Sequence, residues 1–161
     1  MESDTHYLWL PARRLLEGAL RDKPEDAVLD YAIGLESLLT AGKEDELSYR
    51  FALRGATTLS WENGQTQYFY NKLRNFYDLR SFIVHGSMRT KKKAPKLSPS
   101  DARSIGEDYL RRIWWWFFEN GFKEEKVGLD NGTTEIDNRI IKNLSPEVSC
   151  RGSRHEQEIK N

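Results

Sequence analysis

The chain has 161 residues, enough for one domain with a real core and too few to expect two. Its 25 basic residues balance 25 acidic ones, so no overall field draws it toward nucleic acid, and any such attraction has to come from local clustering. Charged residues make up 31% and hydrophobic residues 38%, which fits a compact core under a polar surface, and no apolar run approaches the length of a bilayer crossing.

Pro11 precedes a first predicted helix over residues 12–21, with Leu15, Leu16, Ala19 and Leu20 at helical spacing. Pro24 opens a second, with Glu25 and Asp26 in its favourable first turn; Val28, Tyr31 or Ala32, Leu35 and Leu38 form its stripe, and Gly42 stops it. A third runs from about Glu44 to Ser60 through Leu47, Phe51, Gly55 and Leu59, and Trp61-Glu62-Asn63-Gly64 turns the chain. The fourth, roughly Thr66 to Val84, carries Phe69, Leu73, Phe76 and Ile83. In Ser98-Pro99-Ser100-Asp101 the serine is a cap, proline takes the first helical position, and aspartate suits the positive end of the dipole. A fifth helix therefore extends to about Asn120, burying Ala102, Ile105, Tyr109, Ile113 and Trp116, with Gly121 ending it.

No strand-like alternation lies between these helices, so the expected architecture is all-α, an up-and-down bundle of four to five helices. Residues 1–122 read as one helical domain. Residues 123–161 read as a polar tail or linker, partly disordered, with one short helix at most around Ile136, Ile140, Ile141 and Leu144. Cys150 is the only cysteine, so no intramolecular disulfide forms, and the start lacks the pattern of a secretion signal; a cytoplasmic location is the default expectation.

The stretch of most chemical interest is Tyr77-Asp78-Leu79-Arg80-Ser81-Phe82-Ile83-Val84-His85-Gly86. Arginine offers a permanently charged fork for phosphate, and histidine moves protons near neutral pH. On an ideal helix a separation of five puts the two side chains about 140° apart and about 7.5 Å apart along the axis. Gly86 just past the helix favours a left-handed cap, which would place His85 in a distorted last turn, where the negative end of the dipole favours positive charge. A second copy of the domain is the other way to complete such a site. The structural alternative is a capping histidine and an arginine held in an ion pair.

Glu36 lies on a partly apolar stripe with Leu29, Ile33 and Thr40, so it needs a cationic partner, Arg80 or Arg54. It either orients Arg80 or locks two helices together. From Lys72 to Lys96, eight basic residues, including Arg74, Arg89, Lys91, Lys92, Lys93 and Lys96, stand against Asp78 alone, a local balance of plus seven. An RNA backbone would be drawn there in a salt-dependent way, although lysine runs are commonly solvated loops. The run Ile113-Trp114-Trp115-Trp116-Phe117-Phe118 is apolar around the whole helix, so other helices, the tail or a dimer contact must cover it.

This pattern resembles the Apea-like HEPN domains, whose Arg-x4-His motif closes the penultimate main helix. The resemblance extends to Gly34-Leu35-Glu36-Ser37-Leu38-Leu39 and Phe51-Ala52-Leu53-Arg54, and covers roughly residues 12–120. It implies a bundle that pairs into homodimers, where two motifs meet to form an endoribonuclease site that needs neither metal nor cofactor. Arg80 would stabilise charge on the scissile phosphate, His85 would exchange protons with the ribose 2′-hydroxyl or the leaving oxygen, and Glu36 and Ser81 would support them. The family setting implies antiviral or stress defence, RNA as partner and a further domain or protein partner; the alternative is a non-catalytic module that binds RNA or protein. Ser81 departs from the Asn or Asp often found after the arginine. Ser87 stands where relatives regulated by nucleotide transfer carry tyrosine, so that regulation is not implied.

Overall fold

Each helix carries a face that water solvates poorly, and the bundle exists to cover those faces with one another. The computed structural model describes residues 6–40, 47–61, 64–85, 95–121 and 129–144. They form α1 (His6–Ala19), α2 (Pro24–Leu39), α3 (Leu47–Leu59), α4 (Thr66–His85), α5 (Pro99–Gly121) and α6 (Leu129–Leu144), with no strand among the described residues. The protein is an all-α helical bundle, and none of these helices is long and apolar enough to cross a membrane.

α2 lies at the centre. Val28, Tyr31, Ala32, Leu35 and Leu38 are fully buried, as its apolar spacing requires, and α1, α3, α4, α5 and α6 all touch it. Tyr31 sets the distance to two neighbours. Its ring presses on Gly18 of α1 and Gly106 of α5 so closely that a Cβ at either position would lie 2.4 Å or 2.9 Å from a ring carbon. Beside it the buried Asp30 carboxylate accepts from Arg14 Nη1 at 2.8 Å and Arg21 Nε at 2.7 Å, which offsets its desolvation and ties the end of α1 to α2.

The fourth and fifth helices follow the expected spacing. Phe69, Leu73, Phe76 and Leu79 are buried on α4, with Ile83 partly buried; α5 buries Ala102, Tyr109, Ile113 and Trp116, with Ile105 partly buried. The cap is also as expected, since Ser98 Oγ accepts from the Asp101 backbone N–H at 3.1 Å.

Two features differ from expectation. α1 starts at His6, with Pro11 inside it. A proline there removes a backbone donor, but Leu8, Pro11, Leu15 and Gly18 lie on one core-facing stripe, and Trp114 Nε1 donates to the Leu8 carbonyl at 3.0 Å, so tertiary contacts hold the early turns. Leu16 and Leu20, placed in the stripe by spacing, face solvent instead.

The second difference is one of extent: the short helix expected around Ile136, Ile140, Ile141 and Leu144 is present, but it is longer and docks on the bundle. Residues 129–144 form a helix of 16 residues, and its Ile136 is fully buried. Arg54 on α3 grips Asp137 with two nitrogens at 2.8 Å and 2.7 Å, while the Arg139 guanidinium lies 3.6 Å from the centre of the Trp61 ring. Ile136, with the partly buried Ile140 beside it, and the two arginine contacts dock the helix on the bundle.

Gly18→Ala is expected to cost about 1–3 kcal/mol of unfolding free energy in a denaturant titration, because the new methyl has to displace the Tyr31 ring. Ile136→Ala is expected to cost about 2–5 kcal/mol. A change under about 0.5 kcal/mol would show that α6 adds nothing to the core.

Candidate active site at the end of the fourth helix

α4 remains helical through His85, its last residue. The five-residue step from Arg80 therefore keeps its helical geometry, with side chains about 140° apart around the axis. The structure does not show the distorted final turn, and Gly86 lies outside the described residues. Around α4, Tyr77, Ser81 and Val84 fill the arc between Arg80 and His85; Ser81 is half-buried, Val84 and His85 exposed.

Arg80 points to α2. Its Nη2 lies 3.2 Å from Glu36 Oε1 and donates to Oε2 at 3.3 Å, with the two side chains 24% and 23% exposed. Of the two partners open to Glu36, the structure selects Arg80. Arg54 is committed elsewhere, to Asp137 and to the Leu39 carbonyl at 2.7 Å. A single nitrogen serves both carboxylate oxygens, and Oε1, although close to it, has no hydrogen bond of good geometry among the described residues.

Tyr77 completes this cluster and was not singled out in the sequence. Its ring packs against Phe51, with centroids 5.1 Å apart, and the Arg80 guanidinium lies 5.6 Å from its centre. Its position three residues before Arg80, on the same side of a helix, was the available signal. Burial raises the Glu36 pKa above its ordinary 4.5, opposed by the charge of Arg80 and by hydrogen bonding to Arg80 and Tyr77. Burial, and then the Glu36 charge, also raise that of the Tyr77 phenol.

The remaining candidates do not converge. Arg74 is held by α3, donating to Ser48 Oγ at 3.1 Å. Lys96 is exposed beyond the loop, and Arg89, Lys91, Lys92 and Lys93 lie outside the described residues. Lys96 lines an open groove of about 640 Å³ walled by Leu79, Phe82, Ile83, Leu97 and Pro99. The wall from α4 centres on the side opposite the arc between Arg80 and His85, so this groove is separate from the cluster. No group of three His, Cys, Asp or Glu side chains suited to a metal ion exists among the described residues.

The aromatic run on α5 divides three ways. Ile113, Trp116 and Phe117 enter the core, Trp114 hydrogen-bonds to α1, and Trp115 and Phe118 remain exposed. No protein-family model, curated protein or solved structure matches the chain.

The raised Glu36 pKa has a signed consequence. Burial favours the neutral carboxyl, so the stability this group contributes is fully present below its unfolded-state value near 4.5 and is lost as pH rises through the higher folded-state value. Glu36→Gln does not titrate. Its stability relative to wild type is therefore expected to increase as pH is raised from 4 to 7, roughly the range over which a carboxyl shifted upward by burial ionises. Thermal melts at matched ionic strength measure this; a decrease over that interval would mean that attraction to Arg80 outweighs burial.

Proposed function

We propose that this protein is a metal-independent endoribonuclease whose site is assembled from Arg80 and His85 of two copies. The observation that carries the reading is the Arg80 arrangement. A guanidinium gripped by Glu36 at one nitrogen and lying over Tyr77 is restrained, and it retains donors for a phosphate. His85, at the exposed end of the same helix, is accessible to a substrate hydroxyl.

The two side chains leave α4 about 140° apart, so the reading places a second copy across the end of the helix to bring an arginine and a histidine to one phosphate. Val84, exposed in the arc between them, offers an apolar contact for that copy. In the proposed reaction a His85 imidazole takes the proton from a ribose 2′-hydroxyl. The 2′-oxygen attacks the adjacent phosphorus, and the bond to the 5′-oxygen breaks, leaving a cyclic phosphate and a 5′-hydroxyl once the leaving oxygen is protonated. Arg80 stabilises the extra negative charge on the phosphoryl oxygens. Glu36 and Tyr77 act through Arg80 and are positioning residues. Lys96, Arg74 and the basic residues 89–93 supply long-range attraction for the RNA backbone. The HEPN resemblance supports the same assignment and a role in defence or stress.

A second reading is a non-catalytic module of the same kind that binds RNA or a protein. It is favoured by the Glu36 contact itself, which already neutralises Arg80 in the single chain.

Single-stranded RNA incubated with the protein and excess chelator distinguishes the two. Loss of general acid–base action in His85→Ala is expected to slow cleavage about 10²–10⁴-fold, and Arg80→Ala is expected to be similarly impaired. Mixing these two inactive variants is expected to restore cleavage that neither shows alone. Equal background cleavage by wild type and both variants would eliminate the enzyme reading, and salt-sensitive RNA binding retained alongside that result would favour the binding module.

A further inference from the structure

α1 has two apolar stripes, and among the described residues the bundle covers only one. Leu8, Pro11, Leu15 and Gly18 turn inward, whereas Trp9, Leu16 and Leu20 are 69%, 63% and 75% exposed. The three exposed residues are spaced by seven and four, so they lie within about 40° of one another around the helix and extend about 16 Å along it. The Leu20 N–H bonds to the Leu16 carbonyl at 3.3 Å, which continues the helical path to the last of them.

α5 widens this surface. Trp114 donates to the Leu8 carbonyl, and its ring stacks on Phe118 with centroids 5.5 Å apart; Phe118 in turn lies 5.4 Å from Trp115. The half-exposed Trp115 and Phe118 therefore flank the first turns of α1. With ordinary side-chain areas, these five residues expose on the order of 700 Å² per copy, close to the roughly 800 Å² that each partner contributes to a standard interface.

The charges indicate what covers this surface. Along the outer border of the stripe, the exposed Arg13 pairs with the half-buried Glu17, with Nε 2.7 Å from Oε1, while Glu17 Oε2 accepts from Arg14 Nη1 at 2.9 Å. When two α1 helices cross antiparallel about a two-fold axis, the same border of each helix meets the other in reverse order. The register that sets Trp9 against the partner's Leu20 also brings Arg13 within about one residue, about 1.5 Å along the axis, of the partner's Glu17, twice by symmetry. An anionic membrane would instead favour a polar border of uniformly positive charge.

We propose that the exposed stripe of α1, flanked by Trp115 and Phe118, is an isologous interface that joins this protein to a second copy of itself. This does not rest on the ribonuclease reading, because α1 packs on α2 and α5 rather than on α4.

Sedimentation velocity of the full chain over a concentration series tests it, with circular dichroism melts as the check on folding. Leu16→Glu is expected to weaken self-association at least about tenfold, by placing two carboxylates near the symmetry axis. Arg13→Glu and Glu17→Arg each create like-charged borders, and each is expected to weaken it about three- to tenfold. Mixed in equal amounts, these two variants become complementary and are expected to associate as tightly as wild type, a rescue that an interface on α4 would not produce. A monomeric wild type, or association unchanged in all three variants, would overturn the proposal. Flotation with phosphatidylcholine–phosphatidylserine vesicles that requires Leu16, in a protein that does not self-associate, would overturn it in favour of a lipid surface.

Discussion

The close approach of three helices around Tyr31 is the constraint on which the bundle depends. A large ring with no solvent exposure must be matched by neighbours without side chains, and Gly18 and Gly106 supply that match from α1 and α5. Once α2 is held at this depth, Asp30 meets Arg14 and Arg21 on one side, and Glu36 is carried to Arg80 near its other end. Packing, ion pairing and the geometry of the candidate site are thus set by one helix that is buried on nearly every face.

Around Arg80 two opposing effects meet. Burial disfavours the ionised Glu36 carboxylate, while the guanidinium favours it, and the balance falls toward burial. That makes the contact a restraint more than a strong source of stability, consistent with the modest net value of partly buried ion pairs. A restrained arginine that is not fully saturated by its partner suits a group meant to receive a phosphate. The same contact, in a chain that never meets RNA, would serve only to join α2 to α4, and the two proposed functions differ on this point alone.

Five of the large exposed apolar residues gather on one side of the bundle, whereas Leu47, Tyr49, Tyr68, Val84 and Ile141 are spread over α3, α4 and α6. Trp9, Leu16 and Leu20 on α1 and Trp115 and Phe118 on α5 lie on the outer side of the α1–α5 pair, away from α4. An assembly through α1 and a composite site at the end of α4 would use different faces. Two such self-complementary contacts on one chain would generate assemblies larger than a dimer, in which the proposed nuclease site and the proposed α1 interface would be separately adjustable.

The element order, the buried stripes of α2, α4 and α5, the Ser98 cap and the Arg80–His85 spacing were legible in the sequence, because each depends on residues within a turn or two of one another. Glu36 could be marked as an acid in need of a cation for the same local reason. Tertiary structure decided which cation it found, since Arg54 and Arg80 were equally plausible until Asp137, far along the chain, claimed Arg54. It likewise decided that α6 docks through Ile136, that Tyr77 joins the Arg80 cluster, and that α1 turns Leu16 and Leu20 outward. Local spacing defines which faces of a helix are apolar, but which of two apolar faces is buried is settled only by the shapes of the helices that meet it.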